Sequence, residues 1–166
     1  MNRGSETQRP QAVPPPISVR RGTVRDLDVI LALRVDLRRE EQGQSHYSIE
    51  RLRDLTSRQL QGKDQTFWLA EIHDEVVGIL RCVLEPVSEH VARAGTLTTA
   101  YVRPRYRRHH IMRTLVDAAD AWCSAQGVHT LRLRNGHHND VANAAWEALG
   151  FEAVQVVRQR TRGEGR

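Results

Sequence analysis

Residues 96–126 change their pattern half-way, and that change limits what the rest of the chain can build. Residues 96–102 are rich in β-branched and aromatic types and read as a strand, whereas Ile111, Leu115, Ala118 and Trp122 recur at helical spacing. Pro104 separates the two regimes, and between them lie Arg105, Arg107, Arg108, His109 and His110. The N–H groups that open the helix therefore lie among fixed positive charges. Unpaired amides and the positive end of the helix dipole point at the same place, so this turn reads as an anion receptor. Most charge runs are only solvated faces. The position at a strand-to-helix turn favours a phosphate clamp for Arg107 and Arg108 and leaves both readings level for Arg103, Arg105 and Arg113.

The rest of the chain supplies a frame for that turn. Its 166 residues suit one domain with its own core, and 39% hydrophobic with 27% charged residues suit a soluble globular protein. Residues 1–16 are polar, end in three prolines and lack an apolar export region, so a disordered leader is expected, then a domain over 17–160 and a flexible tail over 161–166. No run approaches membrane-spanning length, so no membrane partner is expected. The net charge of +5 is carried almost wholly by arginine, Lys63 being the only lysine among 25 basic residues. Codon usage in a GC-rich genome is the first explanation, and a nucleic-acid footprint the second. Cys82 and Cys123 stand in no metal or redox spacing and fall in apolar segments, so both are expected as free thiols in a reducing cytoplasm.

Taken in order, residues 17–21 read as a first strand. Thr23 with Asp26 reads as a capping box opening a helix whose stripe includes Leu27, Ile30, Leu31 and Val35. Ser48 caps a second helix carrying Ile49, Leu52, Leu55 and Leu60. Residues 66–72 and 76–84 read as a hairpin about His73-Asp74-Glu75, with Gly78 marking a bulge or a tight approach. The helix after the opening stretch stops at Gly127. A short strand over 128–134 follows, then a helix capped by Asn139 or Asp140 and ended by Gly150, then a strand over 151–157. The order is β-α-α-β-β-β-α-β-α-β, an α/β (α+β) arrangement.

Two motifs within that order carry a family resemblance. Val102-Arg103-Pro104 followed by Arg107-Arg108-His109-His110-Ile111-Met112 resembles the pyrophosphate loop of the GNAT superfamily of acyl-CoA-dependent N-acyltransferases. That loop usually reads Arg/Gln-x-x-Gly-x-Gly/Ala after a strand with Val-x-Pro. Arg107 fits its first position, while His110 replaces the first glycine and Met112 the second small residue. Glycine permits positive φ and close approach to a phosphate, so the Cβ of His110 has to be accommodated. Downstream, Asn139, Ala142, Gly150 and Phe151 match Asn-x-x-Ala-x-x-x-Tyr-x-x-x-Gly-Phe, with Trp146 where the tyrosine usually stands.

The resemblance implies a mixed, mostly antiparallel sheet flanked by helices, acetyl-CoA or another acyl-CoA as donor, and an amine acceptor; a homodimer is left open. It implies that the pyrophosphate meets backbone N–H groups at Arg108, His109, His110, Met112 and Arg113, beside Arg107. The pantetheine arm would then pair with Tyr101 and Val102, an N–H near Tyr101 holding the developing charge of the acyl oxygen. Asn139 would cap a helix and touch cofactor, and Trp146 would pack near the thiol. An indole N–H is no acid at neutral pH, so water, Tyr101 or Tyr106 would protonate the leaving thiolate, a modest demand for a thiol of pKa about 8.5. For the base, the strand over 96–102 has no carboxylate or histidine. Glu85, with Glu89 and His90, is nearest along the chain, and a bulk-water route stands level with it.

Similar enzymes would build the acceptor groove here from Glu40, Glu41, His46, Tyr47, Glu85, Glu89 and His90. That mildly acidic set suits cationic amines. The pairs His109-His110 and His137-His138 lack a completing ligand spacing, so no metal is expected. Two other classes stay open: a catalytically silent acyl-CoA-binding module, suggested by the departures at His110, Met112 and Trp146, and an arginine-rich nucleic-acid binder.

Overall fold

The computed structural model describes residues 16–42, 48–86, 93–135 and 139–155. The expected leader apart from Pro16, the tail, and the segments holding His46, Tyr47, Glu89, His90, His137 and His138 lie outside the described residues. The chain divides into two compact units, Met1–Leu133 and Arg134–Arg166.

In the first unit five strands form one sheet in sequential order: β1 (Ser18–Arg21), β2 (Gln65–Ile72), β3 (Glu75–Glu85), β4 (Ala94–Val102) and β5 (Leu131–Leu133). The first three ladders are antiparallel and the last, β4 with β5, is parallel. α1 (Leu27–Gln42) and α2 (Ile49–Leu60) cover one face, where Ile30, Leu33, Phe67, Leu69, Ile79 and Tyr101 cluster with Leu60. α3 (Ile111–Ala125) covers the other face, where Ile111 and Leu115 approach Gly78 and Cys123 lies by Gly95. The second unit holds α4 (Asp140–Glu147). No helix among the described residues is long and apolar enough to cross a membrane.

The punctuation expected from the sequence is in place. Thr23 and Asp26 form a reciprocal capping box around a 3-10 turn, Val24–Asp26, that leads into α1. Ser48 accepts the Arg51 N–H at the start of α2. Gly127, at φ 72°, ends α3: its N–H goes to the Ser124 carbonyl and that of Val128 to the Cys123 carbonyl. The hairpin is tighter than the sequence suggests, because Ile72 pairs with Glu75 and the turn is the two residues His73 and Asp74, both at positive φ.

Gly78 serves both roles foreseen for it. The β2–β3 register slips beside it, and a Cβ there would stand 3.0 Å from Ile111 Cγ2, so its absence lets α3 close onto the sheet. Two expected strands are shortened. Val128 is used in the α3 stop, so β5 has three residues rather than the seven of 128–134. The strand expected over 151–157 is not formed over 151–155. There Phe151 gives its N–H to the Trp146 carbonyl, closing a helix instead of opening a ladder, and Val154 is exposed.

Cys82 and Cys123 are buried free thiols whose sulfurs meet at 3.5 Å across the β3–α3 interface. Gly95 leaves room for them, since a Cβ there would stand 2.5 Å from Cys123 Sγ. Burial pushes the Cys82 thiol well above its ordinary range.

Candidate active site

β4 carries the centre of the site, and its irregularity is what builds it. Ile79 pairs with Tyr101 and Arg81 with Thr98, so two steps along β3 face three along β4 and the extra residue forms a bulge. Thr99 sits there at φ 50°, which a β-branched residue adopts only when its surroundings over-determine it. The extra residue reverses the alternation, placing Tyr101 on the same face as Thr98 and sending its ring into the α1 side of the core. On the other edge of β4 the ladder to β5 ends at Leu97↔Leu133. Beyond it residues 98–102 have no strand alongside in this unit, which leaves backbone available to an extended ligand.

Past Val102 the chain makes a 3-10 turn, Pro104–Tyr106, and enters α3 through His110. Arg108 and His110 stand at φ 67° and 60°. His110, at ψ 12°, thus takes the left-handed conformation that glycine supplies in the usual motif, with its side chain exposed and giving the helix no cap. The first intrahelical bond is Thr114 N–H to the His110 carbonyl at 3.1 Å, so Ile111 and Met112 open the helix with N–H groups that no carbonyl of α3 reaches. The first turn of α3 contains no acid.

Three of the arginines pair with carboxylates. Arg103 and Arg105 reach Glu75 at 2.8 and 2.6 Å, and Tyr106 donates its phenol to the same carboxylate at 2.7 Å. Those donors, the Tyr106 hydroxyl foremost, hold the Glu75 carboxyl below its usual range. Arg107 donates Nε to the Val102 carbonyl at 2.9 Å and Nη2 to both Glu40 oxygens at 2.8 and 2.7 Å, with its guanidinium 5.6 Å from the Tyr101 ring centre. Tyr101 also donates its hydroxyl to Glu40, at 3.2 Å, and burial together with that carboxylate pushes the phenol up. The turn is therefore fastened on two sides, by Glu75 at the start of β3 and Glu40 near the end of α1. Arg107 fastens the turn to α1. The exposed Arg108 guanidinium makes no hydrogen bond or ion pair among the described residues.

Tyr101, Val102 and residues 107–113 are thus brought together. Glu85 is not: it pairs with Ala94 while Ile79 pairs with Tyr101, which puts it six residues along β3, about 20 Å away. Its carboxylate accepts the Thr96 hydroxyl at 2.5 Å. That distance removes it as a base acting beside Tyr101.

In the second unit, Asn139 accepts the Ala142 N–H at 3.0 Å as the cap of α4. Gly150, at φ 89°, ends that helix, and the Trp146 and Phe151 rings meet edge to face at 5.5 Å. The second motif is, locally, a capped helix with its stop and the apolar contact that accompanies it.

The profile of the acetyltransferase (GNAT) family matches residues 30–151. The chain belongs to this family. No curated protein matches it at a significant level. Among solved structures, aminoglycoside N-acetyltransferase AAC(6')-Iy in complex with CoA is similar at a TM-score of 0.77 and 16% identity, over 92% of this chain and 99% of that one. A predicted acetyltransferase from Clostridium acetobutylicum, solved with acetyl-CoA, is similar at 0.76 and 14%, over 88% and 96%. An aminoglycoside 6'-N-acetyltransferase from Acinetobacter haemolyticus is similar at 0.76 and 17%, over 89% and 99%.

The turn before α3 fits the pyrophosphate of this family's acyl-CoA cofactor. It has left-handed backbone at Arg108 and His110, helix amides at Ile111 and Met112, and no acid in the first turn. Glu75 and Thr99 shape the turn and β4 in ways the sequence did not disclose, and Glu40, expected at the acceptor groove, accepts Arg107 and Tyr101. Thr99 gave no signal, since threonine is a poor match to positive φ, and Glu75 read only as part of a hairpin.

Proposed function

We propose that the chain transfers an acetyl group from acetyl-CoA directly to a primary amine of a small molecule or peptide. The observation that carries this is the glycine-like backbone of His110 at the amide-lined entrance to α3. Acetyl-CoA supplies an activated acyl thioester. Backbone amides at Arg108, His109, His110, Met112 and Arg113 hold its pyrophosphate, Arg108 adding charge, and the β4 edge at Tyr101 and Val102 takes the pantetheine arm. The Tyr101 N–H stabilises negative charge developing on the acyl oxygen. Asn139 and Trp146 belong to the cofactor-binding set on their motif positions.

Tyr106 has its hydroxyl on Glu75 and Tyr101 its own on Glu40, so the proton for the leaving thiolate comes from water. With Glu85 remote, water takes the proton from the amine, and the rate should rise with pH through the pKa of the acceptor itself. The two free thiols suit a reducing cytoplasm as the place of work. Titration calorimetry with acetyl-CoA, followed by thiol release with an amine panel, tests the proposal. No binding overturns it. Binding without release for any amine favours the silent acyl-CoA-binding module, the reading that Trp146 in place of tyrosine supports.

A further inference from the structure

Two guanidinium groups, Arg34 buried and Arg81 half-buried, lie on the α1 and α2 side of the sheet with no acid paired to them among the described residues. Arg34 on α1 is only 7% exposed, and its Nη1 donates to the Thr56 hydroxyl and to Gln59 Oε1, both at 2.7 Å. Arg81 on β3 donates Nε to Gln65 Oε1 at 2.9 Å and Nη1 to Thr98 Oγ1 at 3.3 Å. Both address one ring, their Cζ atoms lying 5.9 and 6.0 Å from the centre of Phe67. Every hydrogen-bond partner named here is neutral, and neither arginine forms an ion pair among the described residues. The acid whose field reaches Arg81 is Glu85, whose carboxylate accepts the Thr96 hydroxyl. Burial, with the nearby Arg81 and Arg38 cations, pushes Arg34 down to about 10, so it stays charged at neutral pH.

Two like charges desolvated over one ring are unfavourable unless something compensates them. Neutral side chains would tie α1 to α2 and β3 as well. A pair of planar forks is instead the arrangement that receives carboxylate oxygens. Its position bears on the reaction. Arg81 pairs across the ladder with Thr98, next to the Thr99 bulge, and stands two residues, about 7 Å of strand, from Ile79, the partner of Tyr101. That is the span of a small molecule with an amine at one end and an anion at the other. Of the carboxylates expected to attract a cationic acceptor, Glu40 is engaged by Arg107 and Tyr101 and Glu85 by Thr96.

We propose that Arg34 and Arg81 form an anion-binding subsite of the acceptor pocket, so that the amine acetylated by this chain also carries a carboxylate. This rests on the acetyl-transfer function proposed above. The test takes the full chain and compares ω-amino acids whose amine and carboxylate stand about 7 Å apart when extended, such as 6-aminohexanoate, with their primary amides, which differ only in the charged group. Acetyl-CoA binding is measured first by calorimetry, because its absence refutes the transfer function itself. With binding in hand, the free acids should be used with kcat/KM at least about tenfold above their amides. Amine basicity gives no help here, since an amino acid's amine is the more protonated of the two. Arg81→Gln and Arg34→Gln, with folding checked by thermal denaturation, should shrink the preference through KM for the acids. Amides used as well as or better than acids, no acid used at saturating acetyl-CoA, or a preference intact in both folded variants overturns the subsite. Should neither variant fold, the wild-type ratio of acid to amide decides alone.

Discussion

A residue with a Cβ held in the left-handed region costs about 1–2 kcal/mol, and the entrance to α3 contains two, Arg108 and His110. Among non-glycine residues histidine tolerates that region better than most, which is how an imidazole can stand in a glycine's place and still present its amide. Replacing it with glycine relieves the strain and also frees the unfolded chain, by about 0.5–1 kcal/mol in the opposite sense. His110→Gly should therefore leave Tm nearly unchanged while tightening acetyl-CoA binding, because the turn loses a Cβ where the usual motif has none. His110→Val should lower both, since a β-branched residue resists this backbone. Thermal denaturation and calorimetry check the pair. Weaker binding by His110→Gly would mean that the imidazole itself grips the cofactor. The sequence showed the departure from glycine; its accommodation could be seen only in the dihedral angles.

What holds such a strained turn lies in the elements on either side. Glu75, at the mouth of the β2–β3 hairpin, gathers Arg103, Arg105 and Tyr106, while Glu40 on α1 gathers Arg107 and Tyr101. Helix stops, caps and strand order were legible because each depends on a few adjacent residues, such as Thr23 with Asp26 or Gly127 with its two carbonyls. Glu40 meeting Arg107 was not, since 67 residues separate them and no local pattern encodes the meeting. Glu75→Gln should loosen the turn, raising the Kd for acetyl-CoA by roughly threefold or more while Tm moves little, as exposed ion pairs add little to global stability. The Glu75 carboxyl is held below its ordinary 4.5, so the fastening is complete above that pH and is lost as pH falls through the lowered value. Between pH 6 and 8 the binding difference between wild type and variant should stay constant. A calorimetric series across that range measures it, and a difference that closes by pH 6 would assign the effect to another group.

Across the whole molecule, much of the charge that reads as free along the chain is paired in the fold. The net charge of +5 and the arginines of residues 103–113 suggest a polyanion binder when read along the chain. In the fold Arg103, Arg105 and Arg107 face Glu75 and Glu40, Arg20 faces Asp26 and Glu71, and Arg34 and Arg81 are turned into the sheet. Long-range pairing of this kind also brought Cys82 to Cys123, which sequence spacing kept apart. A duplex binder needs many arginines presented together to phosphates, and each phosphate neutralised adds about 0.9 to the slope of log K against log salt. The arginines central to that reading, Arg103, Arg105 and Arg107, are already paired with carboxylates. Duplex DNA titrated at rising salt should give a slope below about 2 in magnitude, with no complex at low micromolar protein in physiological salt, where acetyl-CoA still binds. A slope of 6 or more, with binding that CoA does not displace, would show the arginines leaving their carboxylates for phosphate and would return the chain to the nucleic-acid class.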